Sequence, residues 1–342
     1  MRCFDSDAHR AHHPRDPIPD AGRLVPPPEV PERAERIRAA LDDAGFEVTG
    51  PTRRDAPGLR RVHTGAYLRF LEGAHAAWRA ATGMPATAEA VPYVRPLRGQ
   101  PAPAPRHVIA RLGWYSHDSD PVLAGTWSAA RAAVDLAASA WDAVAAGRCA
   151  AAYALCRPPG HHAAADSYAG YCYLNNAAVV AQAWCDQGAR VAVLDVDYHH
   201  GNGTQQIFYD RDDVLFVSLH ADPAHEYPYF LGFAGERGRG AGEGCTRNLP
   251  LAPGSDWSAY GPALAAALGE VRAYAPDGLV VSLGVDTALE DGDSFRLVAD
   301  DFLRIGEAVG GLGRPTVYVQ EGGYDLDVLG RNVTNVLLAD GR

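Results

Sequence analysis

From residue 150 onwards the chain alternates short apolar runs with longer segments of helical character. The short runs are rich in β-branched residues and bounded by glycine, proline or polar residues, as buried strands are. They predict strands at 150–156, 190–196, 214–219, 278–284 and 315–320. The segments between and after them predict helices at 175–187, 256–274, 298–310 and 327–338. Strands that alternate with helices form a mainly parallel sheet with helices on both faces, so we expect an open α/β fold.

The first 150 residues carry fewer periodic signals. Helices are predicted at 28–41, 62–71 and 126–146, and residues 1–23 are expected to form a solvated loop. Residues 83–125 are rich in proline, glycine and arginine, which predicts an irregular insert. A long irregular segment inside a compact domain is usually functional or a contact surface, and a linker between two domains is the alternative. Because the α/β pattern continues after the insert, we expect one domain over 1–342.

Composition excludes several classes of protein. The net charge of −11 argues against non-specific nucleic-acid binding and favours cationic ligands. The six cysteines show no CxxC spacing, so neither a disulfide framework nor a zinc knuckle is expected. No apolar run is long enough for a membrane span, and the amino terminus lacks the apolar core of a signal peptide. We therefore expect a cytoplasmic enzyme without a membrane partner.

A polar cluster follows the apolar run that begins at Val191. Asp195, Asp197 and His199 alternate along the chain, so their side chains project to one side if the extended conformation continues that far. Two close carboxylates are costly to bury unless a cation or a proton lies between them. Aspartate and histidine also supply the ligands of catalytic zinc sites. The cluster predicts a divalent metal site, with a polar loop cap as the alternative.

Polar residues follow the other predicted strands as well. These stretches are 157–162, 195–200, His220, Asp286 and 321–324. Open α/β sheets bind ligands at the carboxyl ends of their strands, so we expect the five loops to meet at one rim. There is no GxGxxG or GxxxxGK[ST] motif, and a nucleotide site therefore has little support.

Five ordered motifs resemble the histone deacetylase family, and most of all its bacterial acetylpolyamine amidohydrolase branch. They are Arg-Pro-Pro-Gly-His-His-Ala (157–163), Gly-Tyr-Cys-Tyr-Leu-Asn-Asn (170–176), Leu-Asp-Val-Asp-Tyr-His-His-Gly-Asn-Gly-Thr (194–204), Ser-Leu-Gly-Val-Asp-Thr (282–287) and Glu-Gly-Gly-Tyr (321–324). The resemblance extends over nearly the whole chain. It implies an arginase/deacetylase-like open sheet and one zinc ion per subunit, held by Asp197, His199 and Asp286. Iron(II) is the alternative ion, because the ligand set is rich in oxygen.

The resemblance also implies roles for the paired histidines and for a tyrosine. His161 and His162 become the active-site pair, with His162 as general base, and Tyr324 becomes the hydrogen-bond donor to the transition state. Asp195 is expected to orient His161, and Asn202 to orient His162. An Asp partner raises the basicity of an imidazole and an Asn partner does not, so the two rings should differ in protonation. Some branches of the family carry Asp at the position of Asn202.

Substrate contacts follow from the same resemblance. Tyr171 and Tyr227 are expected to form the walls of a narrow channel, and Gly170 a backbone contact. In the polyamine branch the insert narrows the entrance and builds a homodimer, and Asp118 and Asp120 are candidates to meet a distal ammonium group. A structural potassium ion is implied beside Ser218 and the backbone carbonyls around 195–197.

The function implied is zinc-dependent hydrolysis of the acetyl amide in acetylated polyamines or related small acetylated amines. The alternative substrate is acetyl-lysine on proteins, with the same mechanism. A manganese ureohydrolase of the same fold requires two metal ions and a larger set of aspartate ligands, and the single Asp-x-His plus Asp set and the tyrosine after Glu-Gly-Gly disfavour it. A non-catalytic binding protein is the remaining alternative, which the presence of every implied catalytic residue disfavours.

Overall fold

Eight parallel strands form the central sheet in the computed structural model, which describes residues 1–20, 22–53, 55–56, 58–97, 103–292 and 294–342. The strands of the chain are β1 (Arg2–Phe4), β2 (Ile18–Asp20), β3 (Arg23–Val25), β4 (Val48–Thr49), β5 (Ala151–Ala154), β6 (Val191–Asp195), β7 (Val214–Ala221), β8 (Thr246–Leu251), β9 (Gly278–Leu283) and β10 (Thr316–Gln320). The sheet has the order β4-β1-β5-β10-β9-β6-β7-β8, with parallel pairing between neighbours. Strands β2 and β3 form a separate antiparallel pair.

Helices cover both faces of this sheet. They are α1 (Pro31–Asp43), α2 (Leu59–Val62), α3 (Gly65–Thr82), α4 (Val108–Trp114), α5 (Thr126–Ala145), α6 (Asn176–Cys185), α7 (Asn202–Phe208), α8 (Trp257–Tyr274), α9 (Ala299–Gly310) and α10 (Leu329–Asp340). One apolar core holds side chains of α2, α3, α5 and α6, and the other holds side chains of α1, α8, α9 and α10. Within the described residues no helix is long and apolar enough to cross a membrane.

Strand β6 shows why the central runs are apolar throughout. Val191 and Val193 point into the core on one face, and Ala192 and Leu194 point into the core on the other. A strand that is buried on both faces needs apolar side chains at consecutive positions. The predicted open α/β sheet with helices on both faces is therefore confirmed, and all five predicted strands are present.

The prediction of a solvated loop at residues 1–23 is wrong. Strand β1 pairs with β4 and β5 inside the sheet, and His9 and His12 are buried. Arg157, itself buried, donates hydrogen bonds to the carbonyl oxygens of both histidines, at 2.8 and 2.7 Å. A strand of three residues is too short to show a period of two, and for this reason the sequence pattern missed it.

Edge strand β8 and helix α7 were also not predicted. The sequence of β8 is polar and contains Pro250, as edge strands tolerate. Helix α7 begins at Asn202, where the glycines at 201 and 203 favoured a turn. Helix α3 begins at Gly65 because Thr64 caps it. The Thr64 hydroxyl accepts a hydrogen bond from the Tyr67 amide.

The insert at 83–125 is irregular over much of its described part. It contains helix α4, and a single bridge between Ala90 and Val122 ties its two ends together. A parallel bridge joins Ser116 to Tyr168, so the insert also contacts the loop that follows the paired histidines. Residues 98–102 lie outside the described residues.

Candidate metal centre and cleft

A cavity of about 620 Å³ opens at the carboxyl ends of the strands. Its lining includes His162, His199, Asp286 and Tyr324, which come from the loops after β5, β6, β9 and β10. The expected convergence of these loops is therefore present. His220 is an exception, because it lies within β7 and packs against His200, at 4.5 Å between ring centroids.

Three predicted metal ligands lie together at this rim. Nδ1 of His199 is 3.1 Å from Oδ2 of Asp286 and 3.4 Å from Oδ1 of Asp197. One ligand atom from each residue lies within 4.8 Å of the other two. Strand β6 ends at Asp195, so the extended conformation does not reach His199, yet the loop still brings Asp197 and His199 to the same point.

Backbone amides fix both carboxylates of this triad. Oδ1 of Asp197 accepts from the amide of His199 at 2.9 Å, and Oδ2 accepts from the amide of Gly322 at 2.8 Å. Oδ1 of Asp286 accepts from the amide of Tyr198 at 3.0 Å. A Cβ at Gly322 would lie 2.5 Å from Oδ2 of Asp286 and 2.7 Å from Oδ2 of Asp197, so only glycine fits beside both acids.

The electrostatics of the triad favour a cation. Burial and the charge of Asp197 raise the pKa of Asp286 to about 6. Burial alone would lower the pKa of His199, but its contacts with Asp197 and Asp286 raise it to about 10. Two buried carboxylates thus attract positive charge to one point. Two carboxylate oxygens and one imidazole nitrogen are also a three-ligand set that zinc takes in catalytic sites, so the residues present fit a divalent ion.

The paired histidines lie beside this triad in different electrostatic environments. Nδ1 of His161 is 3.0 Å from Oδ2 of Asp195, whereas Nδ1 of His162 is 2.8 Å from Oδ1 of Asn202. Burial opposes the charge on His161, but Asp197 and Asp195 raise its pKa to about 10. Burial and the neighbouring His161 lower the pKa of His162 well below its ordinary value. Two rings 4.0 Å apart therefore favour opposite protonation states.

Two buried ionisable residues to which the sequence assigned no individual role, Glu321 and Arg33, support the cleft. Oε2 of Glu321 accepts from the amides of Gly160 at 2.6 Å and His161 at 3.1 Å, which fixes the turn that carries the histidine pair. Arg33 donates to the carbonyl oxygens of Glu321 at 2.7 Å and Gly323 at 2.6 Å. The sequence feature that indicates a role for Arg33 is its i,i+4 spacing from Glu29 at the start of a predicted helix, which favours an ion pair. The two side chains form that ion pair, at 2.8 Å.

The predicted substrate contacts also line the cavity. Gly170 and Tyr171 both have positive φ angles, of 54° and 64°, and the Tyr171 amide donates to Oδ1 of Asp120 at 2.7 Å. The Tyr227 ring meets the His162 ring edge-on, at 5.0 Å between centroids. Asp118 and Asp120 both contribute to the lining. Burial and the charge of Asp118 raise the pKa of Asp120 well above its ordinary value.

Ser218, the residue implied at a potassium site, is buried in β7. Its hydroxyl lies 2.7 Å from Nδ1 of His220, and Nε2 of His220 lies 2.8 Å from the carbonyl oxygen of Gly232. These contacts connect the strand to the loop that carries Tyr227.

A parallel α/β sheet that brings a candidate metal triad, a pair of imidazoles and a phenol to the rim of one cavity is typical of a metal-dependent hydrolase. Residues 27–339 match the family model of the histone deacetylase domain, so the chain belongs to this family of hydrolytic deacetylases. The family is metal-dependent, typically on zinc.

Individual relatives match over nearly the full length. The chain is 49% identical to acetylpolyamine amidohydrolase 2 of Pseudomonas aeruginosa, over 98% of both chains. It is 44% identical to the acetylpolyamine amidohydrolase of Mycoplana ramosa, again over 98% of both chains. The crystal structure of acetylpolyamine aminohydrolase from Burkholderia pseudomallei superposes with a TM-score of 0.92 at 44% identity, covering 100% of this chain and 98% of the other.

Proposed function

We propose that this protein is a zinc-dependent amidohydrolase that removes acetyl groups from acetylated polyamines or related small acetylated amines. The observation that carries the proposal is a cavity lined both by His199 and Asp286, which lie together with Asp197, and by acidic side chains of the insert. The full-length similarity to acetylpolyamine amidohydrolases supports the same reaction.

The residues around the triad suit hydrolysis of an amide. A zinc ion held by Asp197, His199 and Asp286 would supply Lewis-acid polarisation of the acetyl carbonyl and activation of a water molecule. His162, neutral because of its lowered pKa, takes a proton from the attacking water and later delivers it to the leaving amine. His161 stays protonated between Asp195 and Asp197 and balances their charge. Tyr324 lines the cavity and donates its hydroxyl proton to the oxygen on which negative charge develops.

The cavity itself favours a cationic substrate. Four carboxylates beside the triad contribute to its lining, and they are Asp118, Asp120, Glu226 and Asp291. Asp120 is only 4% exposed, and its Oδ2 has no hydrogen-bond partner among the described residues. A buried carboxylate oxygen without a partner is costly, and a substrate ammonium group would satisfy it. Tyr171 and Tyr227 offer apolar ring surface to the alkyl chain between the ammonium and the amide.

The oligomeric state, the cellular location and a second, potassium ion are further parts of this proposal. Tyr93 and Leu97 of the insert are 70% and 76% exposed, and we propose that a second copy of the chain covers this apolar surface in a homodimer. We propose the cytoplasm as the place of action. A potassium ion near Ser218 stays a prediction.

Metal removal and a substrate panel test the reaction. The protein is stripped with a chelator and reloaded with zinc or iron(II), and rates are measured on acetylputrescine, acetylspermidine and acetyl-lysine peptides. We expect one ion per chain and turnover of the acetylpolyamines that is lost on stripping and restored on reloading. Much faster turnover of the peptides would overturn the substrate choice and favour the protein deacetylase. Two ions per chain would favour a ureohydrolase.

Isosteric variants test the acidic lining. Asp118→Asn and Asp120→Asn keep the size of the side chain and an oxygen that can accept a hydrogen bond. Each should raise KM for acetylputrescine about tenfold, the effect of losing one charged contact of roughly 1.4 kcal/mol. The matched probe is N-acetylbutylamine, which lacks the distal ammonium group. Equal losses on both substrates would contradict a charge-selecting role.

A further inference from the structure

A chain of hydrogen bonds connects the insert to the proposed catalytic base. Nδ1 of His162 lies 2.8 Å from Oδ1 of Asn202, and Nδ2 of Asn202 lies 3.3 Å from Nε2 of His117. Nδ1 of His117 lies 2.7 Å from the hydroxyl of Ser167. Asn202 is the partner predicted for His162, and no predicted role falls on His117.

The backbone places His117 firmly at this point. Its amide donates to the carbonyl oxygen of Tyr168 at 3.3 Å, next to the bridge between Ser116 and Tyr168. Part of the residue stays exposed to solvent, yet the desolvation of its ring lowers the pKa of His117. A neutral imidazole has one N–H donor and one acceptor nitrogen, so it can accept from the Asn202 amide on one side and donate to Ser167 on the other.

The orientation of the Asn202 side-chain amide in this series of hydrogen bonds decides which nitrogen of His162 carries the proton. An asparagine side chain has a donor end and an acceptor end of nearly the same shape. With Oδ1 towards His162, the ring donates from Nδ1 and its Nε2 is free to take a proton. With Nδ2 towards His162, the ring must accept at Nδ1, so its proton moves to Nε2 and the base is blocked. Among the described residues, His117 is the side chain that contacts the Nδ2 end.

We propose that His117 is a positioning residue that acts through Asn202 to keep the proton of His162 on Nδ1. The inference rests on the proposed function, in which His162 is the general base. His117 touches neither the substrate amide nor the triad, and it works by accepting a hydrogen bond from the donor end of Asn202. Outer-shell partners that orient metal-ligating imidazoles typically contribute about 10-fold to 100-fold in activity, and for a residue that acts through Asn202 we expect the lower end of that range.

The tautomer of His162 is the direct readout, and it needs no substrate. The zinc-loaded full chain is labelled with ¹⁵N-histidine, and long-range ¹H–¹⁵N correlations identify the protonated nitrogen, with His162→Gln used for assignment. We expect the Nδ1–H form in the natural protein and a population of the Nε2–H form in His117→Ala. In His117→Ala/Asn202→Asp the carboxylate has two equivalent oxygens, so the Nδ1–H form should return. A single Nδ1–H form in His117→Ala overturns the inference.

A double-mutant cycle gives the kinetic counterpart. His117→Ala should lower kcat about tenfold with little change in KM in the natural background, and by less than about twofold in the Asn202→Asp background. His225→Ala, an exposed histidine on the loop before Tyr227, is the matched control and should leave kcat unchanged. Equal tenfold losses in both backgrounds overturn the inference. If the natural protein deacetylates no amine, the proposed function fails, and the tautomer measurement still decides the role of His117.

Discussion

The guanidinium carbon of Arg33 lies 4.7 Å from the centre of the Tyr324 ring. The same guanidinium donates to the carbonyl oxygens of Glu321 and Gly323, so it fixes the turn on which the tyrosine stands. Arg33 is 2% exposed, and Glu29 balances its charge. The position of the phenol in the cleft thus depends on an ion pair at the start of helix α1.

Arg33→Lys should lower kcat about 10-fold to 100-fold with little effect on KM. Lysine keeps the positive charge near Glu29, but it lacks the planar fork that reaches two carbonyl oxygens at once. Steady-state kinetics on acetylputrescine measure the change. Arg36→Lys, an exposed position on the same helix, is the matched control. Full activity in Arg33→Lys would show that the turn positions Tyr324 without help from the guanidinium.

Tyr324→Phe should lower kcat by about 100-fold to 1,000-fold, the range for removing one donor to a developing oxyanion. KM should change little, because the hydrogen bond strengthens only as charge develops on the oxygen. Zinc content, measured by mass spectrometry, should stay at the natural level. Tyr274→Phe is the control, because its hydroxyl donates to the carbonyl oxygen of Asp212 and lies outside the cavity lining. A kcat close to that of the natural protein would remove Tyr324 from the mechanism.

The fold was largely predictable because five of its strands are buried on both faces and therefore read as continuous apolar runs. Strands β1 and β4 have only three and two residues, too few for a pattern, and the polar edge strand β8 has no apolar run to find. Long strands inside the sheet carry their own signal, whereas short and edge strands are determined by their neighbours.

The residues of the candidate site also fall into two groups, those that the local sequence predicts and those that it does not. Asp197 and His199 follow one strand, and their spacing predicted that they meet if the strand continued to His199. The strand ends at Asp195, and the loop after it brings the two residues together instead. Asp286 is distant in the chain and was assigned only through the resemblance to the family. Arg33 and His117 act through contacts with residues far away in sequence. The spacing of Arg33 from Glu29 indicates their ion pair, but no local pattern marks the contacts with the loop of Tyr324 or with Asn202.

Gly170→Ala should lower kcat at least tenfold, because a Cβ at this position would lie 2.3 Å from Cδ2 of His162. Such a contact displaces the ring from its hydrogen bond with Asn202, and small displacements of a catalytic group cost roughly this much or more. Gly188→Ala is the matched control. It has a positive φ of 82° and bears the same type of backbone strain, but a Cβ there meets no described atom within 4 Å.

Kinetics and thermal unfolding of both glycine variants separate strain from displacement. Each should lose about 1 kcal/mol of stability from the left-handed conformation. Only Gly170→Ala should lose activity. Equal activity in the two variants would mean that the His162 ring adjusts to the added methyl group.

His63 should make the protein less stable in mild acid. The residue is 1% exposed, and its Nε2 accepts a hydrogen bond from the Asn175 amide at 2.9 Å, which requires an unprotonated nitrogen. Burial lowers the pKa of His63 from 6.5 to about 4. Between these values the unfolded chain binds more protons than the native protein, so the free energy of unfolding falls as the pH falls.

His63→Gln should therefore flatten the pH dependence of stability. Between pH 6.5 and pH 5 the natural protein should lose about 1.5 kcal/mol more unfolding free energy than the variant, from the proton that His63 takes up only when unfolded. Urea titrations at the two pH values measure the difference, with His225→Gln as the exposed control. Both proteins should still lose some unfolding free energy as the pH falls, because they contain other buried histidines. One of these is His9, whose pKa burial also lowers to about 4. Identical slopes for His63→Gln and the natural protein would mean that His63 is protonated in the native state, with its hydrogen bond to Asn175 broken.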